Sequence, residues 1–285
     1  MAKLKEQDID DSEYIDESTA PTTSTDTFEF DEKAHVYKLN GKRMYGITSV
    51  LGVIAKPALI PWAAKQVVEW IANNCPKDKV GGLVYYAVNN KHLEEAKNAH
   101  RLKKESAGDV GTIVHKLVED FANGNLGFMP SEHGVGIPET VDDLKKIKEP
   151  TEAITMVITM FNNFLQWATK NDVKFIASER RMYSKKYWIA GTVDAVVEIK
   201  GKRYVVDIKT YSGIYDRTPF LQMAGYAIML EEMGEKIDGT IIVRLGKDGS
   251  FDVHKNTNLL EEKQGFLAAL TLFKTLEQYK PKKKY

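Results

Sequence analysis

The chain has 285 residues, 43% hydrophobic and 28% charged, with 40 basic and 40 acidic side chains balancing to zero. That length buries one sizeable core, or a core with a helical subdomain. The lone cysteine, Cys75, excludes a disulfide or a four-cysteine metal site within the chain, and with neither a secretory signal nor an apolar run long enough to cross a membrane, a cytoplasmic protein is expected.

Residues 1–27 carry eight acids against two lysines, a net −6 that leaves +6 on the rest. This tail is rich in Ser, Thr and acid and is expected to be disordered. A solubilising extension is the favoured reading, with a DNA mimic or a partner-binding arm as alternatives. Residues 28–123 follow as a hairpin (Phe28 to Tyr45, turning at Asn40-Gly41) and a mostly helical region. The helices include Trp62 to Asn74, Lys91 to Ser106, and a third that starts near Asp109 and stops at Gly124. In this third helix His115 and Glu119 stack on one face, beside an apolar stripe of Val114, Leu117, Val118 and Phe121. A His and a Glu at that spacing are either a hydrogen-bonded surface pair or two ligands. The Gly- and Pro-rich residues 124–150 read as a flexible loop, in which His133 has no evident partner.

Residues 151–279 read as a core. A helix from Thr151 to Lys170 leads to a strand from Val173 to Tyr183, which carries Glu179. Glu179 faces the site or is spent in a salt bridge with Arg180 or Arg203. The next two strands form a hairpin. Alternation puts Val193, Ala195, Val197 and Ile199 on one face of its first strand and Asp194 on the other. In its second strand Tyr204, Val206 and Ile208 share a face, opposite Asp207 and Lys209. A two-residue turn at Lys200-Gly201 sets Asp194 directly across from Asp207. Opposed carboxylates repel, and in strands this apolar they require a cation. Hard oxygen donors favour Mg²⁺ or Mn²⁺ over zinc. A solvated, charged strand face is the alternative.

A helix then begins at Pro219. It pairs Gln222 with Tyr226 on one face and packs Leu221, Met223, Ile228 and Leu230 on the sheet. A strand (Thr240 to Leu245), its partner (Phe251 to His254), a helix (Leu259 to Tyr279) and a basic tail, residues 280–285, complete the chain. Two further basic clusters, Arg101 with Lys103 and Lys104, and Arg180 with Arg181, Lys185 and Lys186, are candidates for tracking phosphates.

The order Gly-x-x-x-His-x-x-x-Glu, Gly-x-x-Asp, Asp-x-Lys thirteen residues on, then Gln-x-x-x-Tyr, resembles the PD-(D/E)xK nuclease superfamily, and within it the RecB-like exonucleases. Tyr45-Gly-Ile-Thr-Ser-Val-Leu51, with Lys56-Pro57 and Pro61-Trp62-Ala63, is similar to the N-terminal region of phage-encoded members. Asp207 stands where the superfamily more often has Glu, as it does in RecB-like proteins.

The resemblance implies an α/β fold with a restriction-endonuclease-like core, a mixed β-sheet flanked by helices, and DNA as substrate. It adds His115 and the main-chain carbonyl of Ile208 to Asp194 and Asp207 as ligands of Mg²⁺ or Mn²⁺. Lys209 would lie beside the ion, in an electrostatic role rather than as general base. Glu119 would hold a second ion, directly or through water, with a one-metal mechanism as the alternative, and Gln222 and Tyr226 would position the DNA backbone or a terminal phosphate. A phage-type exonuclease serving recombination, replication or degradation is expected, with a single-strand annealing or binding protein as candidate partner and the host cytoplasm as its place. A structure-specific endonuclease and a non-catalytic DNA-binding module are the alternatives.

Overall fold

The computed structural model describes residues 26–124, 150–211 and 213–278. The expectations for the acidic tail, for the loop after Gly124 with its His133, and for the basic C-terminal tail fall outside the described residues. Of those described, residues up to Arg43 form one compact unit and those from Met44 another.

The first unit is an antiparallel sheet of β1 (Phe28–Asp31), β2 (Val36–Leu39) and β3 (Lys42–Arg43). Asn40 and Gly41, at φ 51° and 75°, make the left-handed two-residue turn between β2 and β3. The expected hairpin stops short of Tyr45. Tyr45 and Gly46 instead form β4, a strand of the second unit.

After β4 come α1 (Ile47–Val50), a 3₁₀ turn (Leu51–Val53) and α2 (Leu59–Asn74). Next is a hairpin of β5 (Lys77–Val80) and β6 (Leu83–Tyr86) within the region read as helical. Every residue of both strands is exposed, so burial imposes no period-two pattern on the sequence. The two helices expected between residues 91 and 123 are one helix, α3 (Asn90–Ala122). Its start is a capping box: the Asn89 side chain accepts from the His92 N–H at 2.9 Å, and the Asn89 N–H donates to His92 Nδ1. Gly108 and Gly111 do not break it.

The remaining elements are α4 (Pro150–Lys170), β7 (Lys174–Ser184), β8 (Ile189–Ile199), β9 (Lys202–Lys209), α5 (Thr218–Glu232), β10 (Gly239–Leu245), β11 (Phe251–Asn256) and α6 (Leu260–Gln278). The main sheet runs β11-β10-β9-β8-β4, with β7 on the other edge of β8. It is mixed: β7–β8, β8–β9 and β10–β11 are antiparallel, while β9–β10 and β4–β8 are parallel. Helix α5 makes the crossover that a parallel β9–β10 pair requires. Eight successive α5 residues, Met223 to Leu230, are buried, as befits a helix covered on all sides.

Two apolar clusters flank the sheet. Val114, Leu117 and Val118 of α3 and Phe161 and Phe164 of α4 pack with Ala195, Val197, Tyr204, Val206 and Ile208. On the other face Ile47 of α1, Met223, Tyr226 and Met229 of α5 and Phe266 of α6 pack with Ile189, Val193, Val196 and Val205. This is the restriction-endonuclease-like architecture, a mixed sheet between helical layers. One expectation is corrected: Val193 belongs with the α5 face and not with Ala195, Val197 and Ile199. The alternation of β8 changes phase at Asp194.

The sheet forks at that same place. Strand β7 pairs along nearly the whole of one edge of β8. The other edge is shared, with β9 on residues 195–199 and β4 on residues 189 and 190. Residues 191–194 pair with neither. The helical layer packs tightly over this stretch, since a β-carbon on Gly191 would lie 2.9 Å from the Tyr226 ring and 3.2 Å from Ile47.

Candidate active site

The β8–β9 hairpin turns at Lys200 (φ 51°) and Gly201 (φ 71°). Its ladder runs from Ile199↔Lys202 to Ala195↔Val206. The next rung in this register sets Asp194 across from Asp207, and here the strands part. In place of a ladder bond, the Ile208 N–H donates to Asp194 Oδ2 at 2.6 Å. Asp194 Oδ1 lies 3.5 Å from His115 Nδ1. One carboxylate thus ties the end of β9 to helix α3.

Helix α3 approaches so closely because residue 111 is glycine. A β-carbon there would sit 2.6 Å from Thr210 Oγ1, just past the end of β9. His115, one turn further along α3, is brought to Asp194 by that contact. Glu119, the next turn, is held by Lys116 at 3.1 Å, and Lys116 also binds Asp120 at 3.0 Å.

On the α5 side Lys209 Nζ is 2.6 Å from Asp207 Oδ2 and donates to Gln222 Oε1 at 3.2 Å. Gln222 Nε2 in turn donates to the Tyr226 hydroxyl at 2.8 Å. Tyr226 is 4% exposed, so burial keeps its ring from a polymeric substrate. It holds Gln222, and through Gln222 the lysine, in place. Of the expected substrate-positioning pair, only Gln222 is half-open to solvent.

Glu179, left open by its sequence context, joins the group. Neither arginine weighed as its partner is bound to it, since both Arg180 and Arg203 pair with Glu235. Donor atoms of His115, Glu179 and Asp194 all lie within 4.8 Å of one another. Glu179 is a left-handed residue (φ 46°) in the middle of β7, a conformation that costs a non-glycine residue on the order of 1–3 kcal/mol. Its place in the register, between Ser178↔Ala195 and Arg180↔Val193, is opposite Asp194. No motif signals a left-handed strand residue, which is why the sequence left Glu179 unresolved.

These side chains perturb one another. Burial works to raise the Asp194 pKa, but His115, Lys209 and the Ile208 N–H outweigh it and hold the carboxyl below its ordinary range. Burial and the charge of Asp194 push Asp207 up to about 6 against the pull of Lys209. Glu179 is pushed up to about 7, by burial and then by Asp194. Burial opposes charge on His115 and Lys209, yet the neighbouring carboxylates win and raise both. Lys209 therefore stays protonated at neutral pH, as an electrostatic role requires and a general base does not.

The arrangement fits a divalent cation. Asp207 Oδ2 is buried with no hydrogen-bond donor in line, although Lys209 lies close as an ion partner. Carboxylates with one imidazole are ligands for a divalent metal ion. The two basic clusters are less available. Arg180 is committed to Glu235, Lys103 lies 3.6 Å from Glu69, and Arg101 donates to Asn98.

A mixed sheet forked beside an Asp and an Asp-x-Lys, with a helix-borne histidine against the fork, defines a nuclease fold. Comparison with known families agrees: the PD-(D/E)XK nuclease superfamily model matches residues 82–278. The chain belongs to that superfamily. No curated protein matches the sequence. Among solved structures, SSO0001 is similar at 16% identity and TM-score 0.28, over 58% of this chain and 86% of its own. A protein from Eubacterium rectale, provisionally assigned as an exonuclease, is similar at 14% identity and TM-score 0.39, over 61% of this chain and 69% of its own.

Proposed function

We propose that the protein is a metal-dependent DNA exonuclease of the RecB-like, phage-type branch, acting in recombination, replication or degradation of DNA. The observation that carries this reading is the meeting of Asp194, Asp207, Lys209 and His115 where β8 and β9 part. The exonuclease assignment rests on the order and spacing of the four motifs, which resemble that branch. A single-strand annealing or binding protein is the partner such an enzyme would serve, in the host cytoplasm. No helix among the described residues is long and apolar enough to cross a membrane.

Phosphodiester hydrolysis needs an activated water, charge to meet the non-bridging oxygens, and an ordered substrate. His115, Asp194, Asp207 and the Ile208 carbonyl would hold Mg²⁺ or Mn²⁺. The N–H and C=O of a strand residue project from the same edge; with its N–H on Asp194, Ile208 turns that edge toward the fork. A bound divalent ion supplies a water of lowered pKa and positive charge for the phosphate. Asp194 and Asp207 contribute the negative charge that makes the site selective for a dication. Protonated Lys209, braced by Asp207 and Gln222, meets charge that develops on the phosphate oxygens, and its position needs no reorganisation during the reaction. Gln222 would orient the DNA backbone or a terminal phosphate.

Digestion of end-labelled linear and closed-circular DNA in Mg²⁺, beside Lys209→Ala, tests this. Loss of the linear substrate alone, with turnover down by about 10²–10³-fold in the variant, is expected. Cleavage of circles as well would replace the exonuclease by an endonuclease, and tight DNA binding without metal-dependent cleavage would leave only a binding module.

A further inference from the structure

Resting on that reading of the site, we infer that Glu179 is a direct ligand of the divalent ion, completing with His115 and Asp194 a three-donor cradle that none of the four sequence motifs includes. Three observations point to it.

The first is backbone. Within β7, Glu179 is the residue with positive φ (46°), and it lies across from Asp194 in the register. The second is a change of phase on both strands around this rung. On β8, Ile189 and Val193 pack toward α5, whereas Ala195, Val197 and Ile199 pack toward α3 and α4. On β7, odd-numbered Ala177 and even-numbered Met182 pack toward the same α5 face, so the alternation is broken between them. A regular pair of strands would keep one parity throughout. Apart from the register shift between Phe175 and Ala177, the stretch that loses its parity on both strands includes the rung of the two acids, and there both carboxylates meet His115, with donor atoms within 4.8 Å. The third is the state of the rival acid. Glu119, which the helical motif offers for a further ion, is bound by Lys116 at 3.1 Å. Arg180, the arginine next to Glu179 in β7, is paired with Glu235 instead. A strained backbone that brings a carboxylate to another carboxylate and an imidazole is a cation ligand held ready.

The test is direct titration with Mn²⁺, following free ion by electron paramagnetic resonance, on wild type, Glu179→Gln, Glu179→Gly and Glu119→Gln. Thermal melting is recorded on the same metal-free proteins. Both Glu179 variants are expected to bind Mn²⁺ at least tenfold more weakly. Glu179→Gly relieves the left-handed strain, so its metal-free melting temperature should equal or exceed that of wild type, which separates lost ligation from lost folding. Wild-type protein that binds Mn²⁺, with either folded Glu179 variant matching it within twofold, overturns the inference and leaves the nuclease reading intact. A loss of binding in Glu119→Gln in place of the Glu179 variants does the same. Wild-type protein that binds no Mn²⁺ overturns both.

Discussion

At the scale of single residues, the site is a place where charge is held against its own preference. Asp207 shows it most clearly. Its folded pKa of about 6 lies above the roughly 3.9 of a free aspartate. The group's contribution to stability is therefore full below about pH 4 and lost as pH rises through 6. In the absence of metal, Asp207→Asn should stabilise the protein at pH 7.5 by about 1–3 kcal/mol, with the gap closing near pH 4. Chemical denaturation in EDTA at the two pH values measures it, and the variant should have lost metal-dependent cleavage. Tyr226 poses a different residue-scale question. Its buried hydroxyl accepts from Gln222, which accepts from Lys209. Tyr226→Phe should lower the cleavage rate by about tenfold, since small misplacements of positioning groups are expensive. Affinity for DNA, measured in Ca²⁺, should hardly change, because the ring itself is not presented to substrate.

At the scale of elements, the site depends on how closely α3 can approach the end of β9. Gly111→Ala puts a β-carbon 2.6 Å from Thr210 Oγ1 and should cost roughly 1–3 kcal/mol, as overpacking does, while moving His115 off Asp194. Thr210→Ala removes the clashing oxygen, so the double variant should recover most of the stability and metal affinity. Additive losses in that double-mutant cycle would show that the contact is not the cause. The Gly-x-x-x-His spacing thus has a steric reason, although its sequence shows only a helix with a histidine on it. The β8–β9 hairpin was legible because alternation, the Lys200-Gly201 turn and the thirteen-residue interval together fix its register. Glu179 was not, since its left-handed backbone depends on pairing with β8. The phase change at Asp194 hid Val193's true face for the same reason. The β5–β6 hairpin lacks a buried face to pattern it, and two-residue β4 is too short to leave a period.

At the scale of the whole molecule, the sheet sets acids from three neighbouring strands, with a helix-borne imidazole, around one fork, and their repulsion is a standing cost to the fold. A dication should therefore stabilise the protein. At a concentration about 100-fold above its dissociation constant the gain is about 2.7 kcal/mol, a rise in melting temperature of several degrees for a chain of this size. Mn²⁺ should give that rise in wild type, and Asp194→Ala should abolish it, because Asp194 contacts both His115 and Ile208. The mixed topology also explains why acids far apart in sequence meet: sharing one edge of β8 between β4 and β9 leaves a gap where side chains replace ladder bonds. The measurement that tests the central claim most directly is release of nucleotides from linear duplex DNA by the purified protein, with Mg²⁺ or with EDTA, beside Asp194→Ala. Release that requires the metal and is lost in the variant is the predicted result. Release that persists in EDTA or in Asp194→Ala, or no release from wild type, would contradict it.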